Sequence, residues 1–241
     1  MLVKTQGIVV YKVKYSETSL IFHMLTRDMG VKAFIVKGVR SKKSKFSIAM
    51  FDFMNTLDIV ASQGANAELF TVREVGFASD APFQTLDPVR NSILMFLAEF
   101  IHKSMVKSVP DESLYHFVDH SMRIFFQHPK PISDFHLWFI TKISKFLGII
   151  PVDNYDTRHT QFSIIHSEFV HASSEQEALF SISSSQLLHY YLSAPIEDLA
   201  KKSIPLEIRN QFLDEMLFYY RYHQEHFHGL KSHEILKSVF R

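Results

Sequence analysis

Two histidine groupings are the first places where this 241-residue chain could hold a metal ion or move a proton. His116 and His120 stand one helical turn apart with Asp119 between them, and His223, His226, His228 and His233 crowd a later segment. Imidazoles at i and i+4 can grip zinc when a carboxylate or a third imidazole completes the set. A histidine pair on the polar side of an amphipathic helix is, however, far more often a solvated face. The later group straddles a helix end, where imidazoles simply meet the negative pole of the dipole. No phosphate-cradling glycine loop, no GxSxG elbow and no HExxH is present. Cysteine is absent, which excludes disulfides, thiolate metal sites and cysteine nucleophiles, and fits a reducing compartment. The expectation is a binding protein without bond chemistry: no catalytic residue, no metal and no cofactor, with a histidine-metal hydrolase the remotest alternative.

Charge points to a different chemistry. Residues 1–50 hold ten Lys and Arg against Glu17 and Asp28, a net +8, whereas residues 51–241 hold sixteen bases and twenty-three acids, a net −7. Val39, Arg40, Ser41, Lys42, Lys43, Ser44 and Lys45 form a stretch with four cations and no acid, which repels itself unless it meets an anion. A polyanion is the natural partner, and the candidate nucleic-acid-binding groups are Lys12, Lys14, Arg27, Lys32, Lys37, Arg40, Lys42, Lys43, Lys45 and Phe46. Most of the twenty-three phenylalanines fall on helical stripes and read as core. Phe46, Tyr11 and Tyr15, close to the cations, are the aromatic groups that can stack on bases.

The elements that must position these groups are strands. Val9, Tyr11, Val13 and Tyr15 alternate with Lys12 and Lys14 at the two-residue period of a half-buried strand. Runs at Leu20–Thr26 and Val31–Val39 meet across Arg27, Asp28, Met29 and Gly30, and Gly30 can take the positive φ of a hairpin loop. Two more strands are expected at Phe53–Val60 and Leu69–Val75. Gly7, Gly30, Gly38, Gly64 and Gly76 fall where joints would be. Five strands in so short a span predict a small closed or nearly closed barrel, with an OB-type barrel as the leading choice and an SH3-like or split barrel as the other.

After Gly76 the period becomes helical. Asp87-Pro88 opens a helix carrying Ile93, Leu97, Phe100, Ile101 and Met105, and Asp111 caps a second with Leu114, Val118, Met122 and Phe125 inward. Ser133 is expected to cap a third, apolar nearly all round from Phe135 to Leu147, which Gly148 and Pro151 stop. Residues 152–180 form a small excursion, Ser183 and Gln186 a capping box, and Pro205 opens a long helix to about Phe227. A short amphipathic helix around Ile235, Leu236, Val239 and Phe240 ends the chain. The fold class is α+β and multidomain: a five-stranded OB-fold over 1–80, then a mainly helical domain over 81–241 with a cysteine-free excursion. No apolar run approaches the roughly 20 residues a bilayer demands, and a strand pattern rather than a signal peptide follows Met1. The chain reads as cytosolic and, with DNA as partner, nucleoid-associated.

These residues carry a resemblance. The Ser16-Glu17-Thr18 step, the Leu25-Thr26-Arg27 and Gly30 turn, and the loop from Gly38-Val39-Arg40 to Ser44-Lys45-Phe46 resemble the amino-terminal barrel of the RecO family of bacterial DNA repair and recombination mediators. Gly229-Leu230-Lys231-Ser232 followed by Ile235-Leu236 is similar to that family's C-terminal segment. The resemblance implies an OB-fold followed by a helical domain. It also implies a protein that binds single- and double-stranded DNA, anneals complementary strands, and works with RecR and single-strand-binding protein to load RecA. The tail of single-strand-binding protein would meet the helical domain, with Lys142, Lys145, Lys201 and Lys202 as candidate rim cations. One departure stands out: many members carry four zinc-binding cysteines after the position of Gly148-Ile149-Ile150-Pro151, and residues 153–175 here contain none. A metal-free excursion held by Phe162, Ile164 and Phe169 is expected. The alternative function is an OB-fold protein- or RNA-interaction module without annealing activity.

Overall fold

The computed structural model describes residues 2–63, 68–78, 87–105, 109–129, 132–171 and 178–240. Gly64 and the last part of the excursion lie outside them. Five strands, β1 (Leu2–Lys14), β2 (Leu20–Thr26), β3 (Gly30–Val36), β4 (Thr56–Gln63) and β5 (Leu69–Phe77), close a barrel in the order β1-β2-β3-β5-β4. Every neighbouring pair is antiparallel except β3 with β5, and β1 completes the ring by pairing with both β2 and β4. This is the expected OB-type barrel. Its interior is filled by Val9, Leu20, Phe22, Met24, Phe34, Val36, Phe51, Leu57, Ile59 and Phe70, all buried.

The first strand departs from simple alternation. A bulge between Val9 and Tyr11 makes Val9 pair with Met24 and Tyr11 with His23, so two residues on β1 advance against one on β2. Val9 therefore lies in the barrel interior while Tyr11 lies on the outer surface, where its ring stacks on that of His102 at 4.5 Å. The expectation that Val9, Tyr11 and Val13 share one face fails because the bulge shifts the phase. Nor are all the glycines joints. Gly7 lies within β1, where an added Cβ would come within 3.0 Å of Met24 Cε, and Gly76 lies within β5. Gly30 and Gly38 do turn the chain, with φ of 71° and 74°. The fourth strand starts three residues late: Met54 takes a φ of 64°, and the Asn55 side chain donates to the carbonyls of Ala49 and Met50, closing a short 3₁₀ turn at Ile48–Phe51.

Helix α1 (Pro88–Ser104) is capped by Asp87, which accepts from the N–H groups of Val89 and Arg90; α2 (Glu112–Gln127) is capped by Asp111, which accepts from Leu114. Both start where the cap signals place them. Helix α3 (Phe135–Ile143) follows Asp134 and gets no side-chain cap from Ser133; Phe146 and Leu147 fall in a 3₁₀ extension ended by Gly148 at φ 71°. Strands β6 (His159–Ser163) and β7 (Glu168–His171) form the excursion hairpin, with Phe162, Ile164 and Phe169 buried. Helix α4 (Ile182–Ser193) is capped by Ser181 rather than Ser183, α5 (Leu206–His223) ends before Phe227, and α6 (Ser232–Val239) closes the chain. No helix among the described residues is long and apolar enough to cross a membrane.

Two compact units result, Met1–Pro129 with Leu230–Leu236, and Lys130–Gly229 with Lys237–Arg241. The barrel strands end at Phe77 and α1 begins at Pro88, and α1 and α2 belong with the barrel in the first unit, where α1 packs on the outer face of β1. That packing has a pH dependence. Burial pushes the His102 imidazole down to about 4, with His23 and Lys103 adding to the effect and Glu99 opposing it, and burial lowers His23 as well. The rings of Tyr11, His23 and His102 meet within 5.1 Å, so the folded unit favours neutral imidazoles. The stability this contributes is complete above the ordinary histidine value of about 6.5 and is lost as pH falls towards 4. The thermal midpoint is expected to drop over that interval, and His102→Phe, which keeps the stack and removes the titration, should flatten the drop. Equal acid sensitivity in the two proteins would show that the pair does not govern it.

Candidate nucleic-acid interface

Strand register sorts the candidate cations into two groups. Lys14, Leu20 and Val36 lie on one cross-strand row, so the end of β1, the start of β2 and the end of β3 share one end of the barrel. The segment from Lys37 to Phe46 leaves from that end, and the structure brings Lys14, Lys37, Arg40, Lys42, Lys43 and Lys45 to it. Arg27 lies at the other end, beside the row Gly7–Thr26–Gly30, and Lys32 pairs with Met24 nearer to that row. Six residues of strand separate the two ends, about 20 Å at the usual rise. Around Arg27 the charges are mixed: Asp28 accepts from Thr5 Oγ1 at 2.6 Å, and Asp58 accepts from Gln6 Nε2 at 2.9 Å. Arg27 and Lys32 are thus not part of the concentrated positive surface.

The basic loop is tied at both of its ends. Arg40 donates its backbone N–H to the Thr18 carbonyl at 3.0 Å and its Nη1 to the Ser16 carbonyl at 2.8 Å, which joins the loop to the turn between β1 and β2. Ser41 turns back on Gly38 through both its N–H and its hydroxyl. At the far end the Ser44 hydroxyl donates to the Phe46 carbonyl and accepts the Phe46 N–H, while the Phe46 ring packs against the barrel core. Lys37, Lys42, Lys43 and Lys45 remain exposed, and none of them pairs with an acid among the described residues. A loop fixed in this way holds like charges together that would otherwise spread apart, and that arrangement suits a row of phosphates.

Three other candidates prove to be occupied. Lys12 is ion-paired with Asp52 and sits 5.1 Å from the centre of the Phe53 ring. Phe46 is partly buried against the barrel core, and Tyr11 is stacked on His102 of α1, so both rings are already engaged. Tyr15 is the aromatic group left in solvent, 64% exposed on the β1–β2 turn. The partners that sequence reading missed are Asp52 for Lys12 and the carbonyls of Ser16 and Thr18 for Arg40. A backbone carbonyl has no residue type, so no sequence signal could have found them.

The histidine groupings do not come together as ligand sets. His116 meets Glu112 at 3.4 Å on the exposed side of α2, and Asp119 is taken by Arg123 at 2.8 Å. His223 Nε2 donates to the Ile164 carbonyl at 2.7 Å and lies 3.2 Å from Ser167 Oγ, which fastens the excursion hairpin to α5. Tyr219 supports the same joint: its hydroxyl donates to the Ile149 carbonyl at 2.7 Å and lies 3.0 Å from Ser167 Oγ. Among the described residues no three His, Cys, Asp or Glu side chains are grouped to hold a metal ion. Of the candidate rim cations, Lys142 donates to the Leu192 carbonyl at 2.8 Å, Lys201 pairs with Asp198 at 2.5 Å, and Lys202 lies 4.3 Å over the Tyr190 ring. Lys145 lies in the 3₁₀ extension of α3.

Comparison with known proteins gives this geometry a family. Residues 1–79 match the family model described as Recombination protein O N terminal, and residues 85–234 match Recombination protein O C terminal. Among curated relatives, the DNA repair protein RecO of Phocaeicola vulgatus is 30% identical over 242 residues, covering 100% of both chains. Those of Christiangramia forsetii and Bacteroides fragilis are 27% and 29% identical, again over the full length of both chains. With its closed barrel, its basic loop and matches from the first residue to residue 234, the chain belongs to the RecO family of DNA repair proteins.

Proposed function

We propose that this protein is a DNA-binding recombination mediator that performs no bond chemistry, and that it binds single- and double-stranded DNA and promotes the annealing of complementary strands. The observation that carries this reading is the tied loop with Lys37, Lys42, Lys43 and Lys45 exposed beside Lys14, none of them ion-paired among the described residues. Lysines neutralise phosphates and release counterions without reading sequence, so one surface serves any strand. Two strands whose charge is neutralised repel each other less, and each lysine–phosphate contact is weak enough to exchange. Pairing then proceeds by ordinary base complementarity. Family membership supports joint action with RecR, and with the acidic, apolar C-terminal tail of single-strand-binding protein, in loading RecA on coated strands.

The test is an annealing assay with two complementary oligonucleotides carrying donor and acceptor dyes, run beside a binding titration on each strand alone. The protein should accelerate pairing for sequences of different base composition alike, and the acceleration should fade as salt rises. Strands that are saturated with protein yet pair no faster than free strands would refute annealing and leave binding alone.

A further inference from the structure

We propose that Tyr15 is a base-stacking residue that gives the interface a preference for unpaired over paired strands. This deepens the nucleic-acid reading above and rests on it. Tyr15 is 64% exposed, follows directly on Lys14, and its ring makes no aromatic contact among the described residues. The turn that carries it is nonetheless ordered. Tyr15 N–H donates to the Ser19 carbonyl at 3.2 Å, and Ser19 N–H donates to Ser16 Oγ at 3.1 Å. Arg40 then clasps the same turn through the carbonyls of Thr18 and Ser16. The backbone that carries the ring is therefore tied to the same framework as the basic loop through Arg40.

The other two aromatic candidates are ruled out by their surroundings, Tyr11 by its stack on His102 and Phe46 by its place against the core. Glu17, exposed on the same turn, disfavours a phosphate there. What the turn can offer a nucleic acid is consequently the face of the Tyr15 ring. A base inside a duplex has both faces covered by its neighbours, whereas a base in a single strand can turn one towards an aromatic ring. Phosphates are available on both forms, so the lysines serve both and Tyr15 adds only to the unpaired one.

The experiment compares the full-length protein with Tyr15→Ala and Tyr15→Phe, by fluorescence anisotropy, on a single strand and a duplex of equal length and mixed sequence over a range of salt. Tyr15→Ala should weaken single-strand binding roughly 5- to 150-fold, the span of a stacking contact on one base. Duplex affinity and both log–log salt slopes should stay as in the parent, and Tyr15→Phe, which keeps the ring, should bind like the parent. An alanine variant that matches the parent on both forms, or that loses equally on both, would overturn the proposal. A parent protein that binds neither form would bring down the nucleic-acid reading itself, a different outcome from a parent that binds while the alanine variant is unaffected. Circular dichroism on each variant confirms the fold, since the side chain is exposed.

Discussion

A protein carrying Lys42→Glu and Lys43→Glu is expected to bind a mixed-sequence single strand about 25-fold more weakly at 0.1 M salt, with its log–log salt slope flattened by roughly 1.4 units. The figures follow from counterion release: each phosphate contact on a single strand contributes about 0.7 to the slope, which at 0.1 M salt is close to a fivefold factor in affinity. Two lost contacts multiply. These two lysines are the ones to reverse because they are exposed and make no ion pair or side-chain hydrogen bond among the described residues, whereas Arg40 also holds the loop to the neighbouring turn. Exposed loop substitutions of this kind shift stability by about 0.5 kcal/mol or less, so the thermal midpoint should barely move. Reversing Lys201 and Lys202, one paired with Asp198 and the other set over Tyr190, should leave the slope as it is. A slope unchanged in the loop variant would show that these lysines are solvated and that DNA binds elsewhere or not at all.

The second large effect is on stability and concerns Arg90, a residue outside the basic loop. Its side chain is 8% exposed, and its guanidinium donates to the carbonyls of Phe125 at 3.2 Å, Phe126 at 3.1 Å and His128. Those carbonyls end α2, where the last turn has no intrahelical partners and the dipole is negative. A cation supplied by α1 therefore replaces the water or glycine cap that a helix end normally uses. The ring of Phe125, 5.7 Å from the guanidinium carbon, lies beside it. Arg90→Met keeps much of the apolar stem and removes every guanidinium donor from these three carbonyls. Charge-assisted bonds are worth about 1.5–3 kcal/mol each but are not additive, so a loss of about 3–4 kcal/mol is expected. That should appear as a thermal midpoint lower by roughly 10 °C or more. Arg90→Lys, with one point charge in place of a planar fork, should recover only part of it. A methionine variant within about 1 kcal/mol of the parent would mean that the cap contributes little net stability.

These results bear differently on what could be read from the chain. The Asp87 and Asp111 caps and the Gly30 turn were legible because each depends on chemistry within a few residues of itself, and the barrel because five strand-like segments follow one another in a short span. Boundaries were legible only in part. The third strand stops at Val36 rather than Val39, since Gly38 takes its positive φ and the chain turns into the loop. Ser181, not Ser183, caps α4, and two serines so close together in sequence cannot be ranked without knowing which backbone N–H groups are left unpaired.

The linear sequence established that the positive charge is concentrated in the first fifth of the chain and that the chain contains no cysteine. It also pointed to a small barrel followed by helices, because charge, residue type and periodicity are properties of the chain before it folds. Which cations lie side by side follows from the fold. Lys12 and Lys14 are near neighbours in sequence, yet one is neutralised by Asp52, forty residues on, while the other stays in solvent at the mouth of the barrel. Arg27 and Lys37 are both basic and both exposed, yet the register of β2 on β3 sends them to opposite ends of the barrel. One bulge at Val10 turned Tyr11 from a candidate binding face to a stack on α1, whereas Tyr15, beyond the end of β1, is 64% exposed. The physical reason is that pairing partners in a sheet and ion pairs across a fold are set by closure of the whole barrel, and no local stretch of sequence contains that geometry.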